Sequence, residues 1–512
     1  MNKRNIPFML LPLLPLLSQP MQAQESTYRY DDATQLWRQT QNAAGLSLDS
    51  TANRGYAEFN FQHMEGDFRR VQEGDQSNQL QFITERYQAI GDYLVGYGRF
   101  QFGMDRTKHR SWCDVMRPYL SDPFFPGSSV SGKYDTQQFD LSAALGTVSF
   151  NGLRFGARLD YQAGDLSRLR DPRSRSQLLQ YRITPAATYT VGSHTIGLNG
   201  HYDRRKEKIP NITTVQQDPN LVYYQMTGME QTSGIIGGYT GFNREWVNHQ
   251  LGAELNYNYR DQQLNSLTSV SIARGVENIW GTYKYEPGRY TTYLYGLSSH
   301  NRINDGCVLH ELDLDMDFTQ GYADEYRQQL LQERDAEKGY TSYRYETLLE
   351  YKKRYQLHHT KAQMHYRANF VDHQTVKGYL GATFHLTDVN VRHLLPKSEM
   401  HYDFYDFTGE LGHSLLADHL WIDAAGGYHL SRNAELLLAE ATDYSQQVLL
   451  PDMLYYGADY WHASLALTCQ LPLTVKGYST MAYVKAHADY LRTVTAEKLD
   501  RLSIGVSLGL YY

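Results

Sequence analysis

The stretch that decides the fold closes the chain: Arg501-Leu-Ser-Ile-Gly-Val-Ser-Leu-Gly-Leu-Tyr-Tyr512. Leu502, Ile504, Val506, Leu508, Leu510 and Tyr512 fall on one face, and Ser503, Gly505, Ser507, Gly509 and Tyr511 on the other. A period of two is strand geometry, because successive side chains point to opposite faces. Apolar residues on one side and small or polar ones on the other suit a strand with lipid outside and a lumen inside. A soluble β-sandwich produces the same alternation, so the rest of the chain must separate the two.

The start of the chain separates them. Met1–Ala23 reads as a secretory signal, with Lys3 and Arg4 ahead of the apolar run Ile6–Leu17. That run is too short to span a bilayer as a helix, and no long apolar stretch comes after it. Barrel strands escape this test, because only alternate residues face lipid. Removing Lys3 and Arg4 takes the formal charge from −7 to −9, which argues against a nucleic-acid partner. Three cysteines, Cys113, Cys307 and Cys469, leave room for one bridge and exclude a full disulfide framework. Tyrosine is abundant, with 43 against 18 Phe and 6 Trp, and amphipathic rings suit a membrane–water boundary.

From Tyr56 onward the alternation recurs. Leu153, Phe155, Ala157, Leu159 and Tyr161 oppose Arg154, Gly156, Arg158 and Asp160; Leu251, Ala253, Leu255 and Tyr257 oppose Gln250, Glu254 and Asn256. Asn151-Gly152 and Gly192-Ser193 read as tight hairpin turns, whereas 104–133, 206–244 and 319–339 read as long polar loops. Short turns at one end and long loops at the other are the layout of an outer-membrane barrel. The expectation is an all-β, membrane-spanning antiparallel β-barrel of about 14 strands, within a range of 14–18 set by counting the alternating runs. The chain divides into a signal peptide at 1–23, a periplasmic or plugging segment at 24–54 with a short helix after Asp32, and the barrel at 55–512.

Three resemblances attach to these residues. The final strand, with Leu508, Leu510 and Tyr512, resembles the C-terminal strand that the barrel assembly machinery reads in bacterial outer-membrane proteins. Asn42-Ala-Ala-Gly-Leu46 resembles the Asn-Pro-Ala-Gly-Leu hatch segment of long-chain fatty-acid transporter (FadL-type) barrels, with Ala43 in place of proline. That family implies a 14-stranded barrel passing hydrophobic molecules. The tyrosine-rich composition resembles uncharacterised outer-membrane barrel families of Bacteroidota and implies no specific function.

Candidate chemistry is sparse. Gly505-Val-Ser-Leu-Gly509 matches G-x-S-x-G, but the elbow needs a strand–turn–helix and a following acid and histidine, and only three residues remain. Ser298-Ser-His-Asn301 is better read as a polar turn than as a phospholipase set, since neighbouring residues on a strand point apart. None of the 19 histidines shows a zinc spacing, so no metal or cofactor is expected. Glu311, Asp313, Asp315 and Asp317 share one strand face and are expected to line the lumen. Arg344, Lys352 and Arg354 on the next strand are the expected partners, because stacked like charges need neutralising. Arg168, Arg170, Arg173 and Arg175 around Asp171-Pro172 are candidates for gripping lipopolysaccharide phosphates, with local pairing to Asp165 and Asp171 as the plainer reading. Trp112, Phe124 and Phe125 in the first long loop are expected to fold inward as a constriction or to anchor that loop.

These residues point to a non-enzymatic barrel in the outer membrane of a Gram-negative bacterium. Its surroundings would be outer-membrane lipid and lipopolysaccharide, and its function passive passage of small molecules, hydrophobic ones among them if the transporter resemblance holds. The alternative is a structural, surface-attachment or secretion-accessory barrel with a packed lumen.

Overall fold

The alternating runs become strands wherever a two- to four-residue turn returns the chain. Asn151 and Gly152, at φ +52° and +88°, make the type I′ turn whose twist matches its flanking strands. The computed structural model describes residues 24–49, 53–117, 122–215, 221–236, 242–334, 339–475 and 478–512. The signal reading of 1–23 lies outside the described residues.

The barrel strands are β1 (Arg54–Gly66), β2 (Gln76–Ile90), β3 (Leu94–Arg110), β4 (Gly132–Thr147), β5 (Leu153–Arg168) and β6 (Arg173–Val191). They continue as β7 (His194–Ile209), β8 (Arg244–Arg260), β9 (Leu264–Gly281), β10 (Gly288–Asn304), β11 (Val308–Arg334) and β12 (Thr341–Asp372). The last six are β13 (Thr375–Leu394), β14 (Lys397–Leu415), β15 (Leu420–Leu437), β16 (Tyr460–Val475), β17 (Tyr478–Thr493) and β18 (Asp500–Tyr511). Each pairs antiparallel with its neighbours in sequence, and β18 returns to β1 with Tyr56 opposite Tyr511 and Gly66 opposite Arg501. Closure removes every edge from the hydrocarbon region, which is the condition for a sheet to cross a bilayer.

The deciding stretch is therefore the closing strand. Leu502, Ile504, Val506, Leu508 and Leu510 are exposed on the outside, while Ser507 is 3% exposed on the inside. The same apolar exterior runs round the wall through Phe59, Phe139, Ile183, Leu255, Ile272, Leu314, Leu380 and Leu465. A closed antiparallel barrel with an outward apolar band is an outer-membrane protein of a Gram-negative bacterium.

Eighteen strands is the top of the expected range and corrects the value of about 14. The fatty-acid-transporter resemblance, which implied 14, does not carry the architecture. One of the expected loops is corrected as well. The 319–339 stretch expected to be a loop is mostly strand, because β11 and β12 run 27 and 32 residues and project beyond their neighbours. Register shifts at Ala323/Glu325 and Arg327/Gln328 break the alternation there. Above the membrane both faces of this ribbon meet water, so no apolar stripe marks it.

Candidate functional site: a polar lumen with a floor and a cap

Gln24–Thr34 is helical and leads into short turns at Leu36–Gln39 and Ala43–Ser47. The segment crosses the barrel interior at the end where the chain termini lie, and it touches inward-facing side chains on most of the wall. Arg29 forms a two-pronged bond to Asp423 on β15 at 2.9 and 2.9 Å, and its guanidinium lies 4.3 Å from the Trp421 ring. Arg302 on β10 donates to the Ala33 carbonyl at 2.6 Å, and Trp37 Nε1 to Asn258 on β8 at 3.4 Å. Asn42 caps the Ala43–Ser47 turn by accepting from the Ala44 amide and donates to Asn256 Oδ1 at 2.9 Å. The Ala43–Ala44 backbone rests on bare strand: a Cβ added to Gly156 on β5 would stand 2.3 Å from the Ala44 nitrogen. The described part of the segment expected at 24–54 thus forms a floor, and its Asn-Ala-Ala-Gly-Leu stretch packs closely against the wall.

At the opposite end, residues 67–75, 111–117, 122–131, 210–215, 221–236, 242–243 and 438–459 form a cap in the barrel mouth. Trp112, Phe124, Phe125, Ile212, Tyr223, Met226, Tyr444 and Val448 form one buried apolar cluster with Trp246, Tyr290, Leu357 and Val391 of the wall. Several of the polar groups carried in with them are satisfied. Trp246 Nε1 donates to the Phe124 carbonyl at 3.0 Å, and Gln72 to the Trp112 carbonyl at 3.1 Å. Tyr134 and Tyr223 donate to the two oxygens of Asp114 at 2.7 and 2.9 Å. Residues 222–228 and 231–236 form a hairpin that adds Pro126–Gly127 as a third strand, so the cap has its own small sheet.

Polar space lies between floor and cap. One cavity of about 370 Å³ reaches from Gln41 in the floor to Arg117 in the cap past Arg99, Ser142, Asp160 and Arg182 on the wall. A second, of about 590 Å³, is bounded by Gln62, Gln79, Asp406, His462, Asp489 and Arg501. The wall itself is ionic. On β10 to β14, Arg302 contacts Glu311 and Asp313 at 3.2 and 2.5 Å, and His300 meets Asp313 at 3.0 Å. His365 then lies 3.6 Å from Asp313 and 2.8 Å from Glu410, which Arg367 grips at 2.8 and 3.0 Å. On β5 to β9, Arg158 pairs with Asp160, Arg182 with Asp203 and Arg205 with Glu277, at 2.9, 3.2 and 2.6 Å. Among the described residues no three His, Cys, Asp or Glu side chains are arranged to hold a metal ion.

Residues 43–512 match the model of a family described as "Family of unknown function (DUF6850)". The chain belongs to this family. Curated proteins give no sequence match. Among solved structures, the copper transporter OprC is similar at 11% identity and a TM-score of 0.40, with 89% of this chain and 81% of that one covered. The FrpB iron transporter from Neisseria meningitidis gives 10%, 0.40, 92% and 83%. The ferric-catecholate import receptor Fiu from E. coli K12 gives 9%, 0.39, 90% and 82%. At this identity and similarity no ligand is carried over to the DUF6850 chain.

The DUF6850 barrel distributes the expected site residues in its own way. Glu311 and Asp313 face inward and take part in the ionic ladder, and Asp315 and Asp317 continue that face opposite Gln363 and Lys361. Arg344, Lys352 and Arg354 lie on the projecting ribbon instead. Arg344 pairs with Glu333 at 2.8 Å, Arg354 with Glu325 at 2.9 Å, and Lys352 is exposed. The stripe's cationic partners are Arg302 and the histidines His300 and His365. Ser298-Ser-His-Asn301 is not a turn but the middle of β10, with His300 bonded to Asp313. The four arginines separate too. Arg168 is buried and donates to Tyr134 Oη at 2.7 Å, and Arg170 donates to the Ser131 carbonyl at 3.0 Å. Arg173 and Arg175 pair with Asp171 and Asp165 at 3.0 and 2.5 Å. The local carboxylates of the plainer reading are thus in place for two of the four. Cys113 is a buried free thiol, and Cys307 and Cys469 are exposed and unpaired.

Two carboxyls in the cap are held near neutrality. Burial pushes Asp452 up to about 7 and Asp122 up to about 8, the latter with added repulsion from Glu277. Asp452 accepts from the Val71 amide at 2.8 Å, and Asp122 from the Phe124 amide at 2.8 Å. Because folding raises these values above the ordinary carboxyl range, the stabilising contribution is complete below about pH 4 and is lost as pH rises through 7 to 8. Cap amides should therefore exchange hydrogen faster at pH 9 than at pH 6, after correction for intrinsic rates. Asp122→Asn with Asp452→Asn keeps both acceptors and should flatten that dependence. An unchanged slope in the double variant would assign it to other groups.

Proposed function

We propose that this chain is a gated outer-membrane transporter for small polar molecules, closed below by its N-terminal floor and above by its loop cap. The observation that carries the reading is the polar space between the two, which a barrel serving only as a scaffold has no need to keep. An ion-paired wall suits a hydrophilic passenger, because a hydrophobic one would leave the carboxylates and guanidinium groups desolvated. Passage then requires the floor to shift and the cap to open, so the intact chain is not a standing pore.

A second reading has its own support. The ladder from His300 to Arg367 joins side chains of four strands, β10, β11, β12 and β14, as a structural barrel with a braced lumen would require. Liposome swelling in arabinose separates the two. The intact protein should leave the vesicles tight, while a chain lacking both Gln24–Leu48 and the loop segment 442–457 should let the sugar through. If that doubly shortened barrel inserts and the vesicles stay tight, the braced-barrel reading replaces the transporter.

A subtler release of the floor comes from Gly156. Valine there drives methyl groups into the Ala43–Ala44 backbone while leaving the strand pairing of β5 intact. Gly156→Val should raise hydrogen exchange at Ala44–Leu46 at least tenfold with the barrel still heat-modifiable on gels. Unchanged exchange would mean that the wall, not the floor, yields.

A further inference from the structure

The cap encloses a cavity of about 100 Å³ where its loops meet β12 and β14. Four tyrosines, Tyr355, Tyr402, Tyr444 and Tyr456, surround it, with Tyr402 and Tyr456 stacked 3.9 Å apart. Two carboxyl groups, those of Asp122 and Asp452, also line it. The lining residues include no lysine, arginine or histidine, and among the described residues neither carboxyl group has an ion pair. Two guanidinium groups whose charge reaches these acids form their ion pairs with other carboxylates, Arg70 with Glu73 at 2.5 Å and Arg205 with Glu277 at 2.6 Å.

From this geometry we infer that the cap cavity is a binding site for a small organic cation, a methylated ammonium headgroup. Aromatic faces attract quaternary ammonium groups through the ring quadrupole, and that attraction grows when water is excluded. Two acids lining one buried cavity without an ion pair are costly unless a positive charge joins them or they stay protonated. Their raised pKa values correspond to the second solution. A cation supplies the first, and its entry would displace a proton to solvent. The volume is below that of the roughly 150 Å³ cavity known to take benzene, which fits a headgroup rather than a large ligand. The inference concerns binding alone and stands whether or not the ligand crosses the membrane.

The test is calorimetric titration of the full chain in detergent at pH 7 with tetramethylammonium chloride, using tert-butanol as the neutral isostere and sodium chloride for ionic strength. Saturable tetramethylammonium binding at least tenfold tighter than tert-butanol supports the site. Asp122→Asn with Asp452→Asn should weaken it at least tenfold. Tyr456→Leu, which keeps both acids and removes one ring, should weaken it severalfold. Absence of saturable binding by the intact chain overturns the inference. So does equal affinity for tert-butanol, which would make the cavity a plain apolar void. Unaltered binding in both variants, with the barrel still heat-modifiable, overturns it as well.

Discussion

Asp423→Ala is expected to free the floor from the lumen. The Asp423 carboxylate holds Arg29 through two bonds and also accepts from Tyr379 Oη at 2.7 Å. When Asp423 is gone, Arg29 keeps Glu25, four residues earlier on the same helix, as its one ion-pair partner among the described residues, together with its stacking on the Trp421 ring. That remaining pair is internal to the floor, so no ion pair between Arg29 and the wall is left. Removing one partner of a fully buried pair costs about 3–5 kcal/mol. Both side chains here retain about a fifth of their exposure, so about 2 kcal/mol is the fitting scale after allowing for solvent screening. That amounts to a roughly thirtyfold rise in the released population. Trypsin reads it directly, because the Arg38 side chain is 6% exposed in the floor and cleavable once the floor leaves. Cleavage after Arg38 should accelerate by more than tenfold in Asp423→Ala. Equal protection in both proteins would show that the contacts of Trp37 and Asn42 hold the segment without the ion pair.

The closing strand gives the other large effect. Val506→Arg places a guanidinium on the lipid face in the middle of β18, between Phe61 of β1 and Ala486 of β17. A charge at that depth costs about 2–4 kcal/mol in a membrane barrel. Because β18 also seals the barrel against β1, the cost falls on closure itself. The folded, heat-modifiable form should be largely lost from the outer-membrane fraction. Ser503→Arg is the matched control on the same strand. Its side chain faces the cavity beside Gln62 and Asp406, where a cation meets water and a carboxylate. It should assemble at close to the normal level. If both variants assemble equally well, the inside–outside assignment of this strand is wrong.

That assignment was legible because lipid imposes a one-sided demand on every second residue. Where the demand holds, as in Leu502–Leu510 or Leu153–Tyr161, the reading of the residues and the wall agree. Where strands leave the membrane, the demand lapses. Residues 319–334 therefore read as a loop. The same error misplaced the partners of the acidic stripe. A turn near 319–339 would set Asp313 opposite the residues around Arg344 to Arg354. The true hairpin turns only after Arg334, so Asp313 faces His365. The lumen-facing side of the stripe was readable from one strand alone, whereas its partners depended on hairpin length.

Arg302 was missed for a related reason. The polar run Ser298–Asn301 resembles a turn by composition, and nothing local says that His300 and Arg302 look into a lumen. The floor was half legible, since Gln24–Arg54 differs visibly from the alternating runs of the barrel and Asn42–Leu46 stood out. Its contacts with Asp423, Asn256 and Gly156 join residues more than a hundred positions apart, which no local pattern encodes. The cap was the least legible part. Its apolar residues are scattered in ones and twos through polar loops and form a cluster only when the barrel brings those loops to one mouth.

The central claim is that floor and cap together close the lumen, and single-channel recording of the intact protein in a planar bilayer tests it most directly. The account predicts insertion without conductance in the intact chain. Steady ohmic steps from the intact protein would contradict it and return the barrel to the class of open pores.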